Sequence, residues 1–493
     1  MKTPLPLATF LLFVFALPTA AQTPETALNP AIEQIVSAVS EERMAATLRK
    51  LESFGTRGDF SSQDDPDHGI GAAKRWIFDQ FRSDSPRLQV SYHNFTLKKS
   101  AVNRRIVRDV ELSNVVAVLP GTVDPDRYVL ITAHYDSVNI VHKAKFTDEE
   151  RAADLVKHGM DPEEARRVVE YFPGDNPQGE PDDEATAAAQ TAPGVTDDGS
   201  GVAAILELAR VMSRYQFDKS IVFIAFAAEE LGLEGARAYA GYAKQKGMDI
   251  EAVLNNDIIG SDVSGNGRTA NGVLRVFGDS PEDSPARTLE RYFKLIGERY
   301  VPSMRVEMVF HRDRFSRGGD HTQFAVQGFA AIRITSSREN YANQHSATDT
   351  FEHTSVPYAA RVTRMNGAVL ASLALAPTAP VTNYTIKTGE QKGTRRPMLS
   401  RGESGYDAVL RWLKSPEPDV AGYAVVMRST TAPDWEREIW VGNVTSYTIP
   451  DLSIDDIVIG VKAVDQDGNQ SLVSVYQEPF NPRQIAPAGA TGK

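Results

Sequence analysis

Not one cysteine occurs in the 493 residues, which excludes a disulfide framework and an anchor built on a lipidated cysteine. Positive charge is also short: 53 Lys and Arg stand against 65 Asp and Glu, for a formal net charge of −12. Binding to nucleic acid needs clustered Lys and Arg to neutralise phosphates, so nucleic acid is excluded as an expected partner. Long apolar runs are missing too. The longest, Leu5 to Leu17, falls short of the roughly 20 residues that span a bilayer. With Lys2 before it and Pro18-Thr19-Ala20-Ala21 after it, the run reads as an export signal over residues 1–21, leaving a mature chain from about Gln22 and no stable membrane anchor. An exported chain without disulfides must rely on core packing or metals. That pattern predicts a secreted or periplasmic protein of a bacterium.

What is present divides the chain in two. Tyr128–Ala133, Ile221–Ala227, Ala252–Asn255 and Phe329–Ile334 are continuous aliphatic runs, as strands covered on both faces must be. Between them, Val202–Arg214 and Ala286–Tyr300 repeat apolar residues at helical spacing. Alternating strand and helix predict an α/β fold: a mostly parallel mixed sheet flanked by helices, over residues 22–376. After Ala376-Pro-Thr-Ala-Pro380 the pattern changes to short alternating runs separated by turn residues, from Ala408–Trp412 to Ser471–Tyr476. This predicts an all-β sandwich over 382–480. A polar segment of about 140–194, with helical patterns at Asp148–His158 and Pro162–Tyr171, fits neither unit and reads as an insertion.

Acidic and histidine residues gather where the predicted strands end. His134 and Asp136 follow the first, Glu229 and Glu230 the second, and Asp257 the third, while His345 lies in the loop after the fourth. Asp197 and Asp198 precede the helix that starts near Val202. Ligands of open α/β sheets bind outside the carboxyl ends of the strands, so these side chains are expected to converge. Imidazole and carboxylate without cysteine suit zinc or a similar divalent ion. Each residue alone is more simply a cap or a surface group, and for Asp198 an N-cap is the expected role.

The motifs resemble those of the secreted two-zinc aminopeptidases of the bacterial leucyl and aminopeptidase Y type. They are His134-Tyr-Asp136-Ser137, Gly194-Val-Thr-Asp197-Asp198-Gly-Ser-Gly201, Glu229-Glu230-Leu-Gly232, Asn255-Asn-Asp257-Ile-Ile-Gly260 and His345-Ser-Ala-Thr-Asp349-Thr350. The resemblance implies two zinc ions per chain, one on His134 and Asp257, the other on Glu230 and His345, with Asp197 bridging. It implies Glu229 as general base and Asp136 as the acceptor of the second ring N–H of His134. The substrates implied are peptides with a free N-terminus. Where some members carry a Tyr before the last His, this chain has Gln344, with Tyr341 nearby. The C-terminal unit, with Trp412, Pro416-Glu-Pro418, Gly422-Tyr423 and Ala463-Val-Asp-Gln-Asp-Gly468, resembles a fibronectin type III domain. Glutaminyl cyclases, carboxypeptidases and metal-free binding proteins resemble the same scaffold and stand as alternatives.

Overall fold

A computed structural model of the chain describes residues 28–100, 103, 105–140, 147–157, 160–171, 190–278, 284–311, 318–389 and 392–476. The expected signal at 1–21 lies outside the described residues. The chain enters through α1 (Pro30–Ser37) and α2 (Glu41–Ser53), whose first turns are capped by the side chains of Asn29 and Ser40. Then come α3 (Gly69–Asp84), β1 (Gln89–Leu97), β2 (Val110–Leu119) and β3 (Asp124–His134). The inserted segment forms α4 (Asp148–Lys157) and α5 (Pro162–Tyr171), where the two helical patterns place them. The remaining elements of this unit are α6 (Ser200–Met212), β4 (Lys219–Phe226), α7 (Glu234–Lys246), β5 (Asp249–Asn256), β6 (Val273–Phe277), α8 (Pro285–Tyr300), β7 (Arg305–Val309), α9 (His321–Val326), β8 (Ala331–Ser336) and α10 (Val356–Leu375).

Eight strands make one sheet in the order β1-β2-β4-β3-β5-β8-β6-β7. The central four, β4-β3-β5-β8, run parallel, and antiparallel pairings appear only towards the margins. Helices cover both faces, so each face has its own core. Val129 and Ile131 of β3 join the cluster under α2, α3, α6, α8 and α10, while Leu130 between them joins the one under α7 and α9. All eight residues of β4 are buried, which is why the run after Lys219 and Ser220, from Ile221 to Phe226, is continuously apolar rather than alternating. The chain leaves β3 and returns to β4 on one side and β5 on the other, and this reversal opens a crevice at the carboxyl ends of the strands. Among the described residues no helix is long and apolar enough to cross a membrane.

After α10 the chain forms β9 (Asn383–Thr385), β10 (Arg395–Pro397), β11 (Leu399–Ser400), β12 (Ala408–Arg411), β13 (Val420–Ser429), β14 (Arg437–Gly442), β15 (Ser446–Ile449), β16 (Ile457–Asp465) and β17 (Ser474–Val475). A three-stranded sheet, β11-β12-β15, faces a four-stranded sheet, β14-β13-β16-β17. Leu410, Trp412, Tyr423, Val425, Ile459 and Val461 fill the space between them. This unit rests on α8: Arg291 Nε donates to the Pro433 carbonyl at 2.7 Å and Tyr292 Oη to the Gln470 carbonyl at 3.0 Å.

Candidate metal centre

The four parallel strands deliver the predicted residues to one crevice. β3 ends on His134, the turn after β4 carries Glu229 and Glu230, the residue after β5 is Asp257, and the loop after β8 carries His345. Ala228, Ile258 and His345 all have positive φ, at 58°, 65° and 52°. For non-glycine residues this is a strained conformation, of the kind held where chemistry is done. Asp197 comes from the turn before α6. Its Oδ1 lies 3.1 Å from His134 Nε2 and its Oδ2 lies 3.0 Å from His345 Nε2. Glu230 Oε1 is 3.3 Å from the same His345 nitrogen. One atom each of His134, Asp197 and Glu230, and likewise of His134, Glu229 and Asp257, lie within 4.8 Å of one another. All six residues predicted to act directly thus meet, and Asp197 stands between the two imidazoles.

A layer of hydrogen bonds holds these groups in place. Asp136 accepts from the backbone N–H groups of Glu229 at 3.2 Å and Glu230 at 3.0 Å, fixing the turn that presents both glutamates. His134 Nδ1 is nearest to the Asp136 carbonyl, at 3.2 Å, with the Asp136 carboxylate at 3.4 Å. The N-cap of α6 is Gly199 rather than the expected Asp198; Asp198 accepts from Gly201 N–H at 3.2 Å and also from the backbone N–H groups of His134 and Ile258, so it ties three loops together. Asp349, quoted in the last motif without a role, accepts from the N–H groups of Thr196 and Asp197, both at 2.9 Å.

Three buried residues at the site were not picked out from the sequence. Arg57, fully buried, donates to the carbonyls of Tyr135 and Gly194 at 2.6 and 2.7 Å, and to those of Leu51 and Pro193. It clasps the loop after β3 to the turn that carries Asp197. At that turn Gly194 has φ 53°, and a Cβ there would meet Ser137, Asp197 and Arg57 at under 3 Å. Asp320, 1% exposed, faces the cluster with neither carboxylate oxygen hydrogen-bonded. Arg333, 1% exposed, places Nε 3.0 Å from Asp257 Oδ2. An arginine inside the apolar run Ala330-Ala-Ile-Arg333-Ile was the available signal, since a charge within a covered strand requires a partner.

The electrostatics are those of a site short of cations. Burial, with the Asp257 and Glu230 charges adding to it and His134 opposing, pushes the Glu229 carboxyl well above its usual range. Burial acts on Asp197 in the same sense, yet hydrogen bonds from His134 and His345 hold it well below. Burial beside Asp197 raises Asp349 to about 6 against hydrogen bonds from Asp197 and Thr196. Nitrogen and oxygen donors without sulfur, crowded where carboxylates outnumber their partners, fit a divalent ion such as zinc.

A model of peptidase family M28 matches residues 114–370. A "Probable zinc metalloprotease" of Pyricularia oryzae is 34% identical over 92% of this chain and 84% of its own length. A protein of similar name from Leptosphaeria maculans is 33% identical over 91% of this chain and 97% of its own. Among solved structures, the LapA aminopeptidase of Legionella pneumophila overlaps 71% of this chain and 76% of its own, with 17% identity and a TM-score of 0.48. The fungal relatives overturn the expected location in a bacterial periplasm or culture medium and point to a eukaryotic source. That expectation rested on the missing cysteines, but a sheet with a filled core on each face has no need of disulfides in any organism.

Proposed function

The chain belongs to peptidase family M28 and is a zinc metalloprotease of that family, and from this premise we propose that it is a two-zinc aminopeptidase acting on peptides with a free N-terminus. One observation carries the reading: the two oxygens of Asp197 point to two different imidazoles, as a carboxylate shared between two ions would. His134 and Asp257 would hold one ion, Glu230 and His345 the other. Zinc bound there supplies a water of lowered pKa and polarises the scissile carbonyl. Glu229 would take the water proton and return it to the leaving amine, a task suited to a carboxyl that burial raises above its usual range. Asp136 keeps that carboxylate aimed by holding its backbone N–H. The surplus carboxylates favour a substrate that brings a positive charge, which a free N-terminal ammonium does.

The domain division proposed is a peptidase over 22–376, with the insertion at about 140–194, and a fibronectin type III-like sandwich over 382–480. The arrangement of three strands on four supports the second assignment.

The test is hydrolysis of a panel of aminoacyl anilides and their N-acetylated counterparts, before and after dialysis against a chelator. Hydrolysis of the free-amine substrates, lost with metal and restored by zinc, is expected. Equal cleavage of acetylated substrates, or full activity in metal-free protein, would sink the proposal. Cyclisation of N-terminal glutamine or trimming from the C-terminus would move the assignment to the glutaminyl cyclase or carboxypeptidase alternatives.

A further inference from the structure

The two buried arginines at the site do different things. Arg57 gives its guanidinium to the carbonyls of four residues and ties loops together. Arg333 instead meets a carboxylate assigned to metal, with Nε 3.0 Å from Asp257 Oδ2. The pair has little freedom. Arg333 sits in β8, whose six residues are all buried, and its Cα is registered against Asn255 of β5, two residues before Asp257. Asp257 N–H donates to the Ile334 carbonyl at 3.1 Å, so the backbone beside each side chain is fixed as well. Gly319 passes directly over the pair: a Cβ there would lie 3.0 Å from Asp257 Oδ2, 3.1 Å from Arg333 Cδ and 3.2 Å from Asn255 Nδ2. Space at Gly319 is thus given up to keep guanidinium and carboxylate together.

The other half of the centre differs. Among the described residues, the ion-pair partners of Asp197 and Glu230 are the imidazoles of His134 and His345. Arg105 reaches Glu230 only at its backbone, where Nη1 donates to the carbonyl at 2.7 Å. A guanidinium does not lose its proton in a protein, so it stays beside Asp257 when a divalent ion arrives. Its fixed charge stabilises the metal-free state of that carboxylate and repels the incoming ion.

We propose that Arg333 is a built-in rival to the metal at Asp257, a positioning residue that makes the His134 and Asp257 half of the centre the weaker of the two. The inference rests on the two-ion reading above. It gives the enzyme one ion held firmly and one that exchanges with the surrounding zinc.

Zinc binding to the whole chain, titrated against a chelating dye of known affinity and counted by elemental analysis, tests this without measuring turnover. The wild type should take two ions of unequal affinity. Arg333→Met should tighten the weaker ion by about ten- to a hundredfold, the size of the effect that residues behind the ligands have but of opposite sign, because the partner removed is itself a cation. Arg333→Lys, which keeps the charge, should leave it weak. If Arg333→Met does not fold, Arg333→Gln carries the same expectation. Two ions with unchanged or weakened binding in the neutral variants would overturn the inference and leave the two-ion reading standing. A single ion in the wild type at saturating zinc would overturn both.

Discussion

The carboxyl end of the large sheet and the core of the sandwich both bury charge, yet they treat it in opposite ways. Among the described residues of the sandwich, the buried charges of Lys462, Asp465 and Arg428 meet local partners. Lys462 meets Glu438 at 2.6 Å and Gln470 at 2.8 Å, Asp465 is held by Asn469, and Arg428 donates to the carbonyls of Ser429 and Ala432. At the sheet edge, Asp136, Asp197, Asp198, Glu230, Asp257 and Asp320 are buried around two imidazoles and two arginines, and both oxygens of Asp320 lack a hydrogen bond. Burying carboxylates without full compensation costs stability. A fold maintains such a deficit only where something else arrives to correct it, so the imbalance itself marks the functional end of the molecule.

The comparison is broken most severely by the two adjacent glutamates, because turnover and zinc content report on them separately. Glu230→Gln replaces an anionic donor with a neutral one and should lower zinc per chain together with rate. Glu229→Gln should keep zinc and fold while removing the general base, a loss of about 10²–10⁴ in rate. Glu229 lies as close to His134 and Asp257 as a ligand would, so the measurement is a real choice. Loss of zinc in Glu229→Gln with retention in Glu230→Gln would reverse the two assignments, and near-normal turnover in both would end the mechanism.

Arg57 comes next, since it is the fastening of the sheet edge rather than part of its chemistry. Arg57→Met leaves buried carbonyls of Tyr135 and Gly194 unanswered, at about 1–3 kcal/mol each. A loss of about 3 kcal/mol or more in urea unfolding of the catalytic unit is expected, and Arg57→Lys should recover only part of it because an ammonium lacks the planar fork. A loss under about 1 kcal/mol would show that water replaces the guanidinium without difficulty.

These cases show what was legible in the sequence. The central strands could be read because burial on two faces leaves a continuous apolar pattern, and the short sandwich strands β12 and β15 because one covered face leaves an alternating one. Both helices of the insertion were equally visible, whereas β11, two residues long, and β9, three, are too short to carry any period. The ligand candidates were readable because each sits at a strand end in a motif. Arg57 was not: its partners Pro193 and Gly194 lie more than a hundred residues along the chain, and its own surroundings, Gly55-Thr-Arg57-Gly-Asp59, look like an exposed turn. Asp320 was hidden for the same reason, its neighbours being supplied by three other loops.

On the sandwich side, Trp412→Ala sharpens the contrast from the other direction. Trp412 is 2% exposed and packs edge-on to Tyr423 at 5.5 Å between the two sheets. Its removal should cost the sandwich about 3–5 kcal/mol, seen as an earlier unfolding transition in calorimetry. Zinc content and kcat/KM should not change. A parallel fall in zinc content would mean that the two units do not keep their energetics apart.

The smallest expected effect on chemistry is that of removing the sandwich altogether by ending the chain after Ala376. No predicted ligand lies beyond that residue, and α10 ends at Leu375, so the cut falls where the main unit closes. The contacts that would be lost are mostly polar: Tyr292 to the Gln470 carbonyl, Arg291 to that of Pro433, Lys294 to Asp434 at 3.4 Å, and Asn29 to Asn469 at 3.2 Å. Between α8 and the sandwich there is also an open cleft of about 360 Å³, so packing there is incomplete. Against this, Leu472 packs on the main core, and Arg291 and Tyr292, now 4% and 5% exposed, would meet solvent. Polar groups regain water on exposure, and one leucine contributes about 1.5–3 kcal/mol at most. The truncated chain should therefore remain folded, bind zinc as the full chain does and turn over short substrates at the same rate, with a modestly lower Tm. Inactive or insoluble protein would show that this interface belongs to the catalytic unit, and that α8 cannot stand as an outer surface.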